Sequence, residues 1–173
     1  MKKDSDRKII VRLSYKKKKK SKGTEDLCLV GIRTRGAIMA ERIHRCIKDI
    51  EGVEVPVGIL DITLYRDDLT TIATQPLVRE TQIDFDISGK KLVLVDDVLF
   101  TGRTIRSALD ALIDFGRPAS IQVAVLIDRG HRELPIRAEF VGKNITTSIE
   151  QNVKVILQET DEEVDKVIVK EMS

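Results

Sequence analysis

Two adjacent carboxylates and a hydroxyl-rich turn stand together in the middle of this chain. Residues 93–104 read V-L-V-D-D-V-L-F-T-G-R-T, an apolar run typical of a buried strand, then Asp96 and Asp97, then the turn 101–104. A helix follows, and its free N–H donors and positive dipole end suit a phosphate, which Gly102 allows the backbone to approach closely. Carboxylates repel phosphate, so the acidic pair must serve another part of the ligand. Sugar hydroxyls, or a metal that the ligand carries, would suit it.

A second polar loop holds two cations and a hydroxyl between glycines. Residues 31–36 read G-I-R-T-R-G and follow the apolar run 27–30. Arginine forks bind a diphosphate well, which makes Arg33, Thr34 and Arg35 candidates for that ligand. Plainer interpretations stay open at this point, namely a turn with solvent-facing arginines here and a polar loop that only caps a helix at 96–104.

Two further segments carry charged side chains. Residues 128–137 read D-R-G-H-R-E-L-P-I-R, and Lys143 follows. A lone histidine in a loop is more often structural or merely exposed than catalytic, but His131 has several arginine neighbours. Residues 64–79 are charged, rich in threonine and contain a proline, which predicts a long mobile loop; such loops are commonly lids over a site, although an ordinary solvated loop would look the same.

Strands alternate with helices along the chain, which predicts an α/β fold with an open, mostly parallel twisted sheet flanked by helices. The loops at 31–36, 96–104 and 128–137 all leave the carboxyl ends of predicted strands, where such folds bind ligands, so we expect them to share one cleft. The predicted strands are 27–30, 53–62, 91–95, 121–127, 153–158 and 167–169, and the predicted helices are 38–50 and 104–115.

The bulk composition is that of one domain with an aliphatic core. The chain has 173 residues, 3% aromatic residues and no tryptophan. It contains no apolar run of the roughly 18 residues that a membrane span needs, and its charged N-terminus is unlike a secretory signal. Two unpatterned cysteines without a Cys/His cluster predict a reduced, cytoplasmic protein that lacks structural zinc.

The charge is unevenly distributed. Residues 1–22 hold 11 of the 30 Lys and Arg but 2 of the 28 Asp and Glu, so this segment carries +9 and the rest of the chain −7. We therefore expect a basic N-terminal tail over 1–22, disordered or atypical, followed by one domain over 23–173. Contact with nucleic acid does not follow from this charge alone.

The string at 93–104 resembles the loop that binds phosphoribosyl pyrophosphate (PRPP) in the type I phosphoribosyltransferases. The resemblance implies that Asp96 and Asp97 hold the ribose hydroxyls, that 101–104 wrap the 5′-phosphate and that 33–35 grip the departing diphosphate. Purine-specific members usually carry a further Asp where this chain has Phe100, so the apolar residue argues against a purine base.

The match is closer to one subfamily. The segments I-T-L-Y-R-D-D-L and D-R-G-H-R-E-L-P-I-R resemble the PyrR family, bacterial regulators of pyrimidine operon attenuation that are also uracil phosphoribosyltransferases, and the likeness runs from about Leu27 to Gln158. It implies a small hood, a flexible lid and the reaction of uracil with PRPP to give UMP and diphosphate. It also implies UMP-responsive binding to the leader mRNA of pyrimidine genes through a structured RNA loop.

The resemblance also implies particular residues, with Mg²⁺ carried by PRPP, no protein metal site and a homo-oligomer. The catalytic residues would be Asp96, Asp97, Arg35 and Arg66. The substrate-binding residues would be Arg33, Thr34, Arg35, Asp96, Asp97, Val98, Leu99, Phe100, Thr101, Gly102, Arg103, Thr104, Asp128 and Arg129. The RNA-binding residues would be Thr34, His131, Arg132, Arg137 and Lys143.

The N-terminal segment departs from this family. PyrR proteins begin with an amphipathic helix, whereas residues 16–20 here are five consecutive lysines, which present no apolar face. Two alternatives therefore stay open beside the bifunctional protein: a uracil phosphoribosyltransferase that has lost RNA regulation with this helix, and a UMP-sensing RNA-binding protein with little catalysis.

Overall fold

The computed structural model describes residues 26–63 and 81–171. The predicted basic tail, the predicted lid and its Arg66 lie outside the described residues.

Strands and helices alternate over most of the described chain. The strands are β1 (Leu27–Ile32), β2 (Val57–Leu60), β3 (Lys91–Leu99), β4 (Ser120–Asp128), β5 (Phe140–Asn144), β6 (Gln151–Ile156) and β7 (Lys166–Glu171). The helices are α1 (Arg35–Glu51), α2 (Arg103–Leu112) and the four-residue α3 (Gln158–Asp161), and a 3-10 turn (Ile113–Phe115) extends α2.

Five of the strands form one parallel sheet in the order β2-β1-β3-β4-β5. β2 lies on one side of β1, whereas β3, β4 and β5 follow one another on its other side. The direction of the strand order therefore reverses between β1 and β3. In open α/β sheets, ligands bind outside the carboxyl ends of the strands at this switch point. The predicted fold class is thus confirmed, and the topology marks the ends of β1 and β3 as the place for a site.

The sheet separates two apolar layers. On one face α1 packs through Met39, Ile43 and Ile47 against the sheet, with Val153 and Val155 of β6 in the same cluster. On the other face α2 packs through Ile105, Ala108 and Leu112. Adjacent residues of β3 enter different layers, for example Leu92 and Val93, because side chains alternate along a strand.

The carboxyl-terminal part forms a second, two-stranded sheet with a short helix, which we call the hood (residues 151–171). Strands β6 and β7 pair antiparallel, with Val153 opposite Val169, and α3 lies between them. The predicted strands at 153–158 and 167–169 are both present. No helix in the described ranges is long and apolar enough to cross a membrane.

Two strand boundaries differ from the prediction, and one strand was not predicted. β2 begins only at Val57, because Pro56 has no N–H to donate, although its carbonyl accepts the N–H of Leu29 at 2.9 Å. β3 runs through the acidic pair to Leu99, since β4 continues beside it as far as Asp128. β5 was not predicted, because F-V-G-K-N is a short edge strand without an apolar run.

Candidate active site

The acidic pair lies at the carboxyl end of β3, in the middle of the sheet. Asp96 is buried and Asp97 is half-buried. The N–H of Asp97 donates to Oδ1 of Asp96 at 2.9 Å, and the N–H of Val98 donates to Oδ1 of Asp97 at 2.9 Å. Each carboxylate therefore has one oxygen fixed by backbone, which holds the pair in a defined orientation.

The pair does not titrate as ordinary carboxylates do. Burial, reinforced by the neighbouring charge of Asp97, raises the pKa of Asp96 well above its usual range. Burial also raises the pKa of Asp97, although the hydrogen bonds it accepts and the charge of Arg35 oppose that rise. Two carboxyl groups in this setting favour a ligand that donates hydrogen bonds to them, as sugar hydroxyls do.

The turn 101–104 leads directly into α2. Gly102 is the N-cap and has φ 94, a left-handed conformation that glycine adopts without strain. It has no side chain to cap the helix, and the first turn of α2 contains no acidic residue. The hydroxyl of Thr101 accepts the N–H of Arg103 at 3.3 Å. The N–H donors and the dipole of this helix start could therefore bind an anion, and the phosphate contact stays a prediction.

The arginine loop joins β1 to α1 beside the acidic pair. The Arg33–Thr34 peptide bond is cis, and Thr34 is exposed. Arg33 Nε lies 4.0 Å from Oδ2 of Asp61, which follows β2. Arg35 donates from Nη2 to Oδ1 of Asp161 in α3 at 2.8 Å. A carboxylate on a different element thus faces each arginine of the loop.

The segment after β4 supports the turn 101–104. The N–H groups of Glu133 and Leu134 donate to the carbonyl of Thr101 at 2.9 and 3.2 Å. Arg103 donates from Nε to Oε2 of Glu133 at 2.6 Å. Arg132 donates to the carbonyl of Phe100 at 2.7 Å, to the carbonyl of Ile136 at 2.9 Å and to Oδ2 of Asp128 at 2.5 Å.

Phe100 is the centre of a stack at this edge. The guanidinium of Arg129 lies 3.9 Å from the ring centroid, and the His131 ring meets Phe100 edge-on at 6.1 Å. Arg129 is 5% exposed, and it donates to the hydroxyl of Thr147 at 3.2 Å and to the carbonyl of Ser148 at 3.0 Å. Burial lowers the pKa of Arg129. His131 Nε2 lies 2.6 Å from the carbonyl of Thr147, so it donates this hydrogen bond.

The structure brings most of the predicted substrate residues to one edge of the sheet. The segments 33–35, 96–104 and 128–129 lie at the carboxyl ends of β1, β3 and β4, which are neighbours. The predicted RNA residues are more scattered: Lys143 lies exposed near the end of β5, Arg137 lies exposed before that strand, and Arg132 makes internal bonds.

Sequence reasoning missed the residues that hold these groups in place. Asp61, Thr147 and Asp161 contact site residues, but Asp161 is 126 positions from Arg35. No local spacing signals such a contact.

The described residues contain no group of three His, Cys, Asp or Glu side chains that could hold a metal ion. The paired carboxylates of Asp96 and Asp97 offer hard oxygen donors that suit Mg²⁺ whose other ligands come from phosphate oxygens and water. The donor set therefore fits a metal that arrives on its substrate.

Comparison with known proteins agrees with this geometry. The model of the phosphoribosyl transferase domain family matches residues 5–160. A protein named bifunctional protein PyrR from Pelotomaculum thermopropionicum is 60% identical over 169 residues, which cover 98% of this chain and 93% of that protein. The protein of the same name from Thermus aquaticus is 62% identical, over 91% of this chain and 87% of its own.

Among solved structures, the hypoxanthine phosphoribosyltransferase of Trypanosoma cruzi superposes with a TM-score of 0.67 at 20% identity, over 96% of this chain and 90% of that one. A hypoxanthine phosphoribosyltransferase from Staphylococcus aureus gives a TM-score of 0.62 at 23% identity, over 86% and 77%. At this identity the likeness concerns the fold alone.

Fold, site geometry and family model together define a phosphoribosyltransferase. Within that class the chain belongs to the PyrR family, as its relatives at 56–62% identity establish. The predicted function is thereby confirmed at family level: uracil phosphoribosyltransferase activity combined with regulation of pyrimidine operon attenuation.

Proposed function

We propose that this site binds PRPP at the carboxyl ends of β1 and β3 and transfers its phosphoribosyl group to uracil. The carrying observation is that the carboxylate pair, the uncapped start of α2 and the arginine loop lie together at the carboxyl ends of the neighbouring strands β1 and β3, the switch point of the sheet. These are the three chemistries that a phosphorylated sugar diphosphate requires.

Each segment takes one part of PRPP. Asp96 and Asp97 accept hydrogen bonds from the ribose hydroxyls, and their backbone bonds fix the angle of the sugar. The backbone N–H groups and hydroxyls of 101–104 hold the 5′-phosphate. Arg33, Thr34 and Arg35 hold the diphosphate, and Mg²⁺ carried by PRPP neutralises part of its charge. Residues 98–100 connect the sugar and phosphate contacts.

The reaction breaks the bond between C1′ and the diphosphate oxygen, whose electron pair leaves with the diphosphate. Uracil N1 forms the new bond to C1′ from the opposite face, so the configuration inverts, and the N1 proton passes to water. The arginine loop stabilises the charge that grows on the leaving group, while the other contacts align the reactants. Arg66, outside the described residues, is proposed to close over the site from the lid.

The base is proposed to lie beside Asp128 and Arg129. Phe100 occupies the adjacent position with an apolar ring, and the stack of Arg129 and His131 on that ring fixes its orientation. A ring there offers no hydrogen bond to the extra donors and acceptors of a purine.

A test of the enzyme measures uracil-dependent release of diphosphate from PRPP. The double variant Asp96→Asn with Asp97→Asn should abolish it, since both ribose contacts lose their charge. Asp110→Asn is a matched control, because Asp110 is an exposed acid on α2 that pairs with Arg106 at 3.9 Å outside the site. Full activity in the double variant would contradict the assignment of the pair to the ribose.

The RNA-binding surface is proposed to comprise Thr34, His131, Arg132, Arg137 and Lys143, in a cytoplasmic homo-oligomer. Several of these residues flank the loop that holds Phe100, so a nucleotide in the site and an RNA on the surface would share one segment. The decisive measurement is a titration of the protein's own pyrimidine leader RNA with and without UMP, against a scrambled loop at equal salt. Tight binding that ignores both UMP and the loop sequence would mean that the lysines of the tail merely attract phosphate.

A further inference from the structure

One arginine of the diphosphate loop is tethered to the hood. Arg35 begins α1, and its Nη2 donates to Oδ1 of Asp161 at 2.8 Å. The side chain of Arg35 is 27% exposed and that of Asp161 is 16% exposed. A charge-assisted hydrogen bond that is mostly shielded from water is stronger than an ordinary surface ion pair, so it can hold a flexible side chain in one orientation.

The hydrogen bond to Asp161 uses one of the three guanidinium nitrogens of Arg35, Nη2. Nε of Arg35 is buried and has no hydrogen-bond partner among the described residues. The next residue, Gly36, lies so close to β3 that an added Cβ would stand 2.4 Å from the carbonyl oxygen of Val95 and 3.2 Å from Cα of Asp96, which places the start of α1 beside the carboxylate pair. Asp161 uses only Nη2, so we assign the other terminal nitrogen of Arg35, Nη1, to the diphosphate.

Asp161 is itself rigidly held. Its Oδ2 accepts the N–H of Leu157 at 2.9 Å, and Leu157 is fully buried in the core layer that α1 also enters. A second contact joins the same elements: Arg42, two turns along α1, pairs with Glu159 of α3 and with Asp165 at 3.1 Å. Because Arg42 already attaches α1 to the hood, the hood does not need Asp161 for that purpose.

We propose that Asp161 is a positioning residue for the diphosphate, holding the guanidinium of Arg35 in the orientation that grips the leaving group. This inference rests on the proposed function, because it assigns the diphosphate to the arginine loop. It adds a residue outside the three loops and gives the hood a part in binding the leaving group.

Asp161→Asn isolates this role. The amide oxygen can still accept the N–H of Leu157, while its NH₂ group would turn a donor towards a donor of Arg35. Glu159→Gln is the matched control, since it neutralises an acid of the same short helix that pairs with the same α1 but not with the loop. Asp161→Glu restores the charge with one added methylene group.

Two measurements are made on the full chain: the affinity for magnesium diphosphate by calorimetry, and the steady-state constants for PRPP. We expect Asp161→Asn to weaken diphosphate binding and to raise KM for PRPP by about 10-fold, the size expected for one charge-assisted hydrogen bond. Glu159→Gln should stay within about 2-fold of wild type, and Asp161→Glu should recover part of the loss.

The outcomes separate the two proposals. Wild type that binds diphosphate without turning over uracil would contradict the proposed reaction, and the affinities of the variants would still decide the role of Asp161. Unchanged or tighter diphosphate binding in Asp161→Asn would overturn the inference. Equal losses of diphosphate affinity in Asp161→Asn and Glu159→Gln would also overturn it, because both acids would then act only by attaching the hood to α1. Wild type that binds no diphosphate would overturn it as well.

Discussion

At the scale of single residues, Asp96 lowers the stability of the fold and provides a carboxylate for the proposed ribose contact. It is buried with a second carboxyl group beside it, and this environment raises its pKa well above the usual range. An ionised Asp96 therefore destabilises the folded protein when no ligand is bound. A sugar hydroxyl that donates a hydrogen bond to the carboxylate offsets this cost.

Asp96→Asn should consequently stabilise the fold while it removes activity. The pKa is raised in the folded state, so the cost is fully present at a pH above the folded pKa and declines as pH falls from there towards the lower pKa of the unfolded chain. We expect the variant to gain about 1–3 kcal/mol in free energy of unfolding at pH 8, and this advantage should shrink towards acid pH. Urea unfolding from pH 5 to 8 measures it. A variant that is less stable than wild type at pH 8 would contradict the cost assigned to burial.

Arg132 shows why a residue type alone does not define a role. It is predicted to contact RNA, and its guanidinium also bonds three backbone carbonyls and Asp128. Arg132→Lys retains the charge but cannot reach these partners together. We expect a loss of about 1–3 kcal/mol in stability and a higher KM for PRPP, since the carbonyl of Phe100 adjoins the phosphate turn. Thermal unfolding and steady-state kinetics test this; an effect on RNA binding alone would favour direct contact.

The parts of the candidate site that consist of consecutive residues could be predicted from the sequence. The acidic pair, the turn 101–104 and the arginine loop are each short strings whose side chains share one ligand. Asp61, Thr147 and Asp161 could not be predicted, because their partners come from distant parts of the chain and their contacts depend on tertiary packing.

At the scale of elements, α1 and β3 must approach closely for the site to exist. A Cβ added at Gly36 would lie 2.4 Å from the carbonyl oxygen of Val95, so only glycine fits there. That contact sets the arginine loop beside the end of β3. In the sequence, only the presence of a glycine at this position indicates the close approach.

Gly36→Ala should therefore damage stability and binding together. The added methyl group meets backbone rather than a flexible side chain, so the helix start must shift. We expect a loss of about 1–3 kcal/mol in free energy of unfolding and an increase in KM for PRPP larger than any fall in kcat, because Arg35 moves with the helix. Unfolding curves and steady-state kinetics measure the two effects. A variant with unchanged Tm and KM would show that the loop tolerates displacement.

Hydrophobic periodicity predicted the elements whose side chains enter the two core layers. It failed where tertiary context decides: β3 and β4 stabilise each other beyond the apolar run, and β5 forms at the edge because β4 offers it partners. Pairing of neighbouring strands overrode local preference in both cases.

At the scale of the whole molecule, the residues proposed for catalysis and those proposed for RNA binding share the carboxyl edge of the sheet. Lys143 faces Ile127 in the pairing of β5 with β4, close to the segment that carries His131. In this proposal the described domain recognises RNA with a few basic groups near the proposed active site.

Lys143→Ala tests this arrangement, and a lysine at the opposite edge of the same sheet provides a matched control. Lys91 is also exposed, but it begins β3 at the amino edge. If Lys143 contacts a phosphate of the leader RNA, its loss should reduce the slope of log affinity against log salt by about 0.7–1, while Lys91→Ala leaves the slope unchanged. Uracil phosphoribosyltransferase activity should be retained in both variants. Equal changes in the two slopes would mean that RNA is attracted by net charge, and the carboxyl edge would then have no special part in recognition.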